Sequence, residues 1–118
     1  MTIIIYGIKN CDTMKKARDW LAENGVSVTF HDYKVSGIDR TTLARWVMEH
    51  GWETILNRAG TTFRKLPDAD RADLDVDKAI ALMLVQPSMI KRPVLDMGTG
   101  TTLVGFKPER YGAVFSHS

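Results

Sequence analysis

The sequence predicts an α/β domain: a mixed four-stranded sheet flanked by helices, with a helical insertion between a β-α-β half and a β-β-α half. Three observations carry this reading. The chain opens with an apolar β-branched segment, a helix-period pattern and then an alternating segment, the succession of a parallel β-α-β unit. A middle stretch contains only helix-period and turn-like segments. Two short β-branched runs then flank Gly98-Thr99-Gly100, and Pro108 introduces a last helical stretch.

Residues 2–6 lack polar alternation, which suits a central strand covered on both faces, and Gly7 ends it. Met14, Ala17 and Leu21 recur at helical spacing, and Asn24-Gly25 supplies helix-terminating residues. Residues 26–30 read as the second strand, with Val26, Val28 and Phe30 on one face and Ser27 and Thr29 on the other. Asp39 can cap a helix whose Leu43, Trp46, Val47 and His50 form one stripe, closed by Gly51. Residues 52–58 look like a short helical turn, Leu66-Pro67 breaks the pattern, and residues 68–74 form another short piece. Asp75 or Asp77 can cap the next helix, whose stripe is Val76, Ile80, Met83 and Leu84 and whose end is Gln86-Pro87. Residues 94–97 and 101–104 read as an antiparallel hairpin, and residues 109–115 as a short terminal helix. The whole chain, 1–118, is thus expected to be one domain with its insertion at about 37–87.

With 44% hydrophobic and 25% charged residues, the composition is that of an ordinary soluble domain, which should fold unaided. Sixteen Lys and Arg against fourteen Asp and Glu leave a net charge of +2, too weak a bias to call for a nucleic-acid or membrane partner. The longest apolar run, residues 79–85, falls far short of the roughly 20 residues that span a bilayer. One cysteine allows no internal disulfide, and Met1 leads into the first strand without a basic leader, so a cytoplasmic protein is expected; a monomer is expected as well.

The chemistry centres on Cys11, which stands between the first strand and a helix beginning near Asp12. Unpaired cysteines are often inert core filler. This one lies in a polar strand-to-helix loop, where unpaired N–H groups and the helix dipole stabilise a thiolate, although Asp12 opposes that effect. A reactive, activated sulfur is therefore the reading carried forward.

The order β-α-β then β-β-α, with cysteine at the first helix start, resembles thioredoxin-like domains, in which a proline precedes the third strand; here Arg92-Pro93 occupies that place. Residues 10–17 (Asn-Cys-Asp-Thr-Met-Lys-Lys-Ala), Leu56-Asn57-Arg58, residues 87–94 (Pro-Ser-Met-Ile-Lys-Arg-Pro-Val) and Gly105-Phe106-Lys107-Pro108 together resemble the ArsC/Spx/YffB family over nearly the whole chain, the YffB branch most of all. The resemblance implies a thioredoxin fold with a helical insertion and a thiol reductase that uses glutathione as co-substrate, without a tightly bound cofactor.

In glutaredoxin-linked arsenate reductases of this family, one cysteine and three arginines form the oxyanion site; those positions appear here as Cys11, Arg58, Arg92 and Lys107. Lys107 keeps the charge but cannot offer the bidentate fork of a guanidinium, and Met14 stands where a hydroxyl residue often lies, so arsenate reduction ranks as an alternative. The same cations suit the carboxylates of glutathione. Asn10, Thr13, Lys15 and Pro93 are the expected supporting residues. Cys11-Asp12-Thr13-Met14 lacks a second cysteine, so an external thiol, from glutathione or a protein reductant, must release a mixed disulfide formed with a small anionic or disulfide substrate. Spx-like relatives, which contact RNA polymerase, supply a different alternative, a regulatory binding module.

Other signals read as structural. Gly98-Thr99-Gly100 sits between strands and lacks the third glycine of a nucleotide-binding loop. One cysteine with His31, His50 and His117 gives no zinc spacing, so no metal is expected. Trp20, Trp46 and Trp52 lack the basic-aromatic alternation of a nucleic-acid platform, and Lys15, Lys16 and Arg18 form a basic helix face beside Cys11.

Overall fold

Ile4–Gly7 forms β1, the strand on which the sheet is assembled. The computed structural model describes residues 2–9 and 11–115, so the expectations for Asn10 and His117 lie outside the described residues. After β1 come α1 (Asp12–Glu23), β2 (Thr29–Asp32), α2 (Tyr33–Ser36), α3 (Arg40–His50), α4 (Trp52–Ile55), α5 (Thr61–Arg64) and α6 (Asp68–Arg71). Then follow α7 (Val76–Val85), a 3-10 turn (Pro87–Met89), β3 (Val94–Asp96), β4 (Thr102–Val104) and α8 (Pro108–Phe115). The chain divides into two units, Met1–Asp32 with Arg92–Ser118, and Tyr33–Lys91.

In the first unit the strand order is β2-β1-β3-β4. β1 runs parallel to β2 and antiparallel to β3, and β3 runs antiparallel to β4. This is the mixed four-stranded sheet that the strand pattern predicts. The registers Gly7↔Asp32, Tyr6↔Val94 and Val94↔Val104 put the ends of β1, β2 and β4 and the start of β3 at one edge of the sheet. One face is covered by α1 and α8: Ile5, Leu95 and Leu103 pack with Met14, Ala17, Leu21 and Tyr111.

Each end of α1 has a local cause. Asn24 is the C-cap, Gly25 takes a positive φ of 70°, its N–H donates to the Ala22 carbonyl, and the Val26 N–H reaches back to Leu21 at 2.9 Å. These two bonds satisfy carbonyls that the helix leaves unpaired, and Val26 packs on the core that includes Leu21. At the other end Gly7 admits Met14: a Cβ on Gly7 would lie 2.1 Å from the Met14 sulfur.

The second unit is helical. Asp39 caps α3 by accepting from the N–H groups of Thr41 and Thr42, and Asp75, of the two candidates, caps α7 by accepting from Lys78 N–H at 2.8 Å. Leu43, Trp46, Val47, Ile55, Ile80 and Met83 are among its buried residues. Leu56 and Ile90 form an isolated antiparallel bridge, flanked by Asn57 N–H to Met89 O at 2.8 Å and Lys91 N–H to Ile55 O at 2.9 Å.

Several boundaries differ from the sequence reading. The second strand is Thr29–Asp32 and not 26–30: the 26–30 alternation holds, with Val26, Val28 and Phe30 packed toward the core, but ladder pairing begins only where β1 offers Ile4 to Thr29. The turn at 52–58 stops at Ile55, because Leu56 leaves the helix to bridge Ile90. The piece at 68–74 ends at Arg71. In α7 the buried positions are Ala79, Ile80 and Met83; Val76, in the first turn, is 44% exposed. The hairpin strands are each a residue shorter than expected, and α2, α5 and the 3-10 turn, each of three or four residues, lack the length that reveals a helical period.

Gly7→Ala should destabilise the protein by about 1–3 kcal/mol through overpacking on Met14. In a denaturant double-mutant cycle, Gly7→Ala with Met14→Ala should lose less than the sum of the two single losses; additivity would show that the two residues do not meet. The Tyr111 hydroxyl is buried without a hydrogen-bond partner among the described residues, and burial pushes its pKa above the ordinary tyrosine value. Tyr111→Phe should therefore match or exceed the wild-type melting temperature, since it removes an unsatisfied polar atom.

Candidate active site

Cys11 occupies the N-cap of α1, with extended backbone angles (φ −126°, ψ 128°), and its carbonyl accepts the first helical bond from Lys15 N–H at 3.0 Å. An N-cap side chain points at the N–H groups two and three residues on, which here belong to Thr13 and Met14. The thiol makes no cap hydrogen bond of full geometry. Burial of the half-buried sulfur pushes its pKa up, but the Met14 N–H, the Arg92 side chain, the Thr13 N–H and the Arg92 charge together outweigh it and leave the pKa below the ordinary thiol value. Arg92 is brought there by strand polarity, because β3 starts at the edge where β1 ends.

The sequence-derived residues distribute as follows. Thr13 acts through its backbone and not its hydroxyl, and Met14, read from the sequence as a core residue, contributes a second N–H donor. That contribution follows from the spacing alone once Cys11 is recognised as the cap. Pro93 is buried, follows a cis Arg92–Pro93 bond and accepts Gly105 N–H at 2.8 Å. Lys107 is exposed and stands just after β4, at the sheet edge shared with Cys11 and Arg92; its carbonyl accepts from Arg110 and Tyr111 N–H at the start of α8. Lys15 binds Asp19 at 2.9 Å, a solvent-exposed i,i+4 pair of little energetic weight. Arg58 belongs to the second unit, where it is exposed and holds its guanidinium 5.4 Å from the centre of the Trp52 ring.

A cavity of about 560 Å³ adjoins Cys11, lined by Lys9, Asp12, Lys15, Arg18, Asp19 and Ala22. Lys9 and Asp19 were not singled out from the sequence. Among the described residues no group of three His, Cys, Asp or Glu is placed to hold a metal ion, and no helix is long and apolar enough to cross a membrane.

The ArsC family pattern matches residues 6–114. The solved structure of a YffB protein is 68% identical, with a TM-score of 0.92, covering 95% of this chain and 97% of its own. The solution structure of an arsenate reductase (ArsC) related protein from Brucella melitensis is 58% identical, with a TM-score of 0.76, covering 98% and 95%. The global transcriptional regulator Spx of Streptococcus pyogenes serotype M3 is 29% identical over 109 residues, 91% of this chain and 80% of that protein.

The rate of Cys11 alkylation against pH should give a midpoint below that of the same thiol in the unfolded chain, and Arg92→Ala should move it upward; a wild-type midpoint at or above the unfolded one would contradict the site geometry. Because the folded thiol ionises more easily than the unfolded one, its ionisation stabilises the native state fully above the unfolded value and ceases to do so as pH falls through the folded pKa. Between those two values, wild-type stability relative to Cys11→Ser should rise with pH in denaturant titrations.

Proposed function

The chain belongs to the ArsC family, and on that premise we propose that it is a glutathione-dependent thiol–disulfide reductase with Cys11 as its nucleophile. The observation that carries the reading is the Cys11 sulfur set against the first N–H groups of α1 and the Arg92 side chain. A lowered pKa enlarges the thiolate fraction at a given pH, and the thiolate is the attacking species.

In the proposed cycle the Cys11 thiolate attacks the glutathione sulfur of a mixed disulfide. A Cys11–glutathione disulfide forms, the original S–S bond breaks, and the released thiolate takes up a proton. A second glutathione, as its thiolate, then attacks the bound glutathione sulfur, restoring the Cys11 thiolate and leaving oxidised glutathione. The net exchange converts one mixed disulfide and one reduced glutathione into one substrate thiol and one oxidised glutathione, so the substrate sulfur is reduced at the expense of a single glutathione thiol. A single cysteine suffices, since the resolving thiol comes from outside.

Arg92 and Lys107 serve as the cations for glutathione carboxylates, and the family resemblance adds Arg58. Such a cycle belongs in the cytoplasm, where the thiol pool is reducing. The name of the Brucella relative supports arsenate as an alternative oxyanion, weakened by Lys107 in place of a guanidinium. The Spx relative suggests a regulatory role without turnover, which would survive Cys11→Ser.

Treatment with oxidised glutathione should add one glutathione at Cys11 by intact mass, reversibly on adding reduced glutathione, and Cys11→Ser should take up none. Arg92→Ala should slow the reaction about ten- to a hundredfold, the worth of a lost charged hydrogen bond. Absence of an adduct under conditions that modify ordinary thiols would overturn the proposal.

A further inference from the structure

α1 carries its buried residues Met14, Ala17 and Leu21 on one face. Asp12, Lys15, Arg18, Asp19 and Ala22, all exposed, line the cavity that begins at Cys11, so the cavity follows a solvent-facing side of the helix, with Arg18 flanking the buried stripe. From Cys11 to Ala22 the helix rises about 16 Å, and an extended tripeptide spans about 10 Å, so the trough can take a whole glutathione-sized disulfide half.

The lining is charged in a definite way. Lys15 and Asp19 neutralise each other at 2.9 Å. The other charged lining residues are Lys9, Arg18 and Asp12, a net positive set. Arg18 holds its guanidinium carbon 4.8 Å from the centre of the Phe30 ring, which restrains a long side chain that would otherwise lose entropy on binding.

We propose that this trough is a substrate subsite that seats one half of the disulfide, selecting halves that carry carboxylates together with an ammonium group: Lys9 and Arg18 take the carboxylates and Asp12 the ammonium. It rests on the reductase reading above and adds the specificity of that site. Thiolate attack needs the sulfur being attacked in contact with Cys11, and a half lying along α1 leaves the carboxylates of the other half to Arg92 and Lys107. The bond changes are those of the cycle already described: Cys11–S forms a bond to one substrate sulfur as the substrate S–S bond breaks, and the departing thiolate is protonated.

The test compares second-order rate constants of Cys11 with oxidised glutathione and with neutral hydroxyethyl disulfide, in wild type, Lys9→Glu, Arg18→Glu and Lys16→Glu. Lys16 lies on the same helix but outside the cavity lining, and its reversal changes net charge equally. The glutathione-to-neutral ratio should fall about tenfold in the Lys9 and Arg18 variants at low salt, less at high salt, and hold in Lys16→Glu. Lys9→Glu lies outside the helices and strands and keeps the test decisive should Arg18→Glu fold poorly. An unchanged ratio in both lining variants, or an equal fall in Lys16→Glu, overturns the subsite and leaves the reductase reading standing. Failure of wild-type Cys11 to react with either disulfide overturns the reductase reading, and the subsite with it.

Discussion

At the start of α1 the N–H groups of Thr13 and Met14 face the Cys11 sulfur, and how strongly they hold it depends on its charge. A protonated thiol is a weak acceptor for the N–H groups of Thr13 and Met14, whereas a thiolate is a good one, so ionisation of Cys11 and closure of the helix terminus favour each other. The donors stay in place because the far side of the same helix turn is locked: Met14 lies over Gly7 and, with Ala17 and Leu21, against the sheet. Core packing on one face of α1 thereby sets the electrostatics at its end.

Strand polarity does the rest of the assembly. Cys11 follows β1, Arg92 precedes an antiparallel neighbour of β1, and Lys107 follows a strand antiparallel to that neighbour, so all three emerge at one edge of the sheet. Reversing β3 alone would send Arg92, and reversing β4 alone would send Lys107, to the opposite edge. The buried pair Leu95 and Leu103, in register with Ile5, holds this order.

The site balances opposing effects. Deeper burial would push the thiol pKa up and full exposure would weaken the two amide donors and the guanidinium by solvent screening; Cys11 is half-buried. The scaffold alone does not choose the chemistry, since relatives on it carry names as different as arsenate reductase related protein and transcriptional regulator. Side chains set on the scaffold differ in what they can bind: Lys107 carries a charge without the planar fork of a guanidinium.

Much was legible in the linear pattern. α1, α3 and α7 are long enough for a 3.6-residue period to show, and Asn24-Gly25, Asp39 and Gly51 mark ends because capping is local chemistry. The capping cysteine was visible for the same reason, standing at a strand-to-helix junction. What the pattern could not say is where β2 begins to pair, that Leu56 abandons its helix for Ile90, that Val76 stays exposed, or that the Arg92–Pro93 bond is cis. Nor could it say that Lys15 engages Asp19 while Lys9 and Arg18 line a trough beside the sulfur. Each of these depends on a partner that folding brings from another element or turn of the chain. Periodicity and capping act among near neighbours and are therefore written in the sequence, whereas pairing register, burial and the field around a thiol arise from groups that meet only in three dimensions.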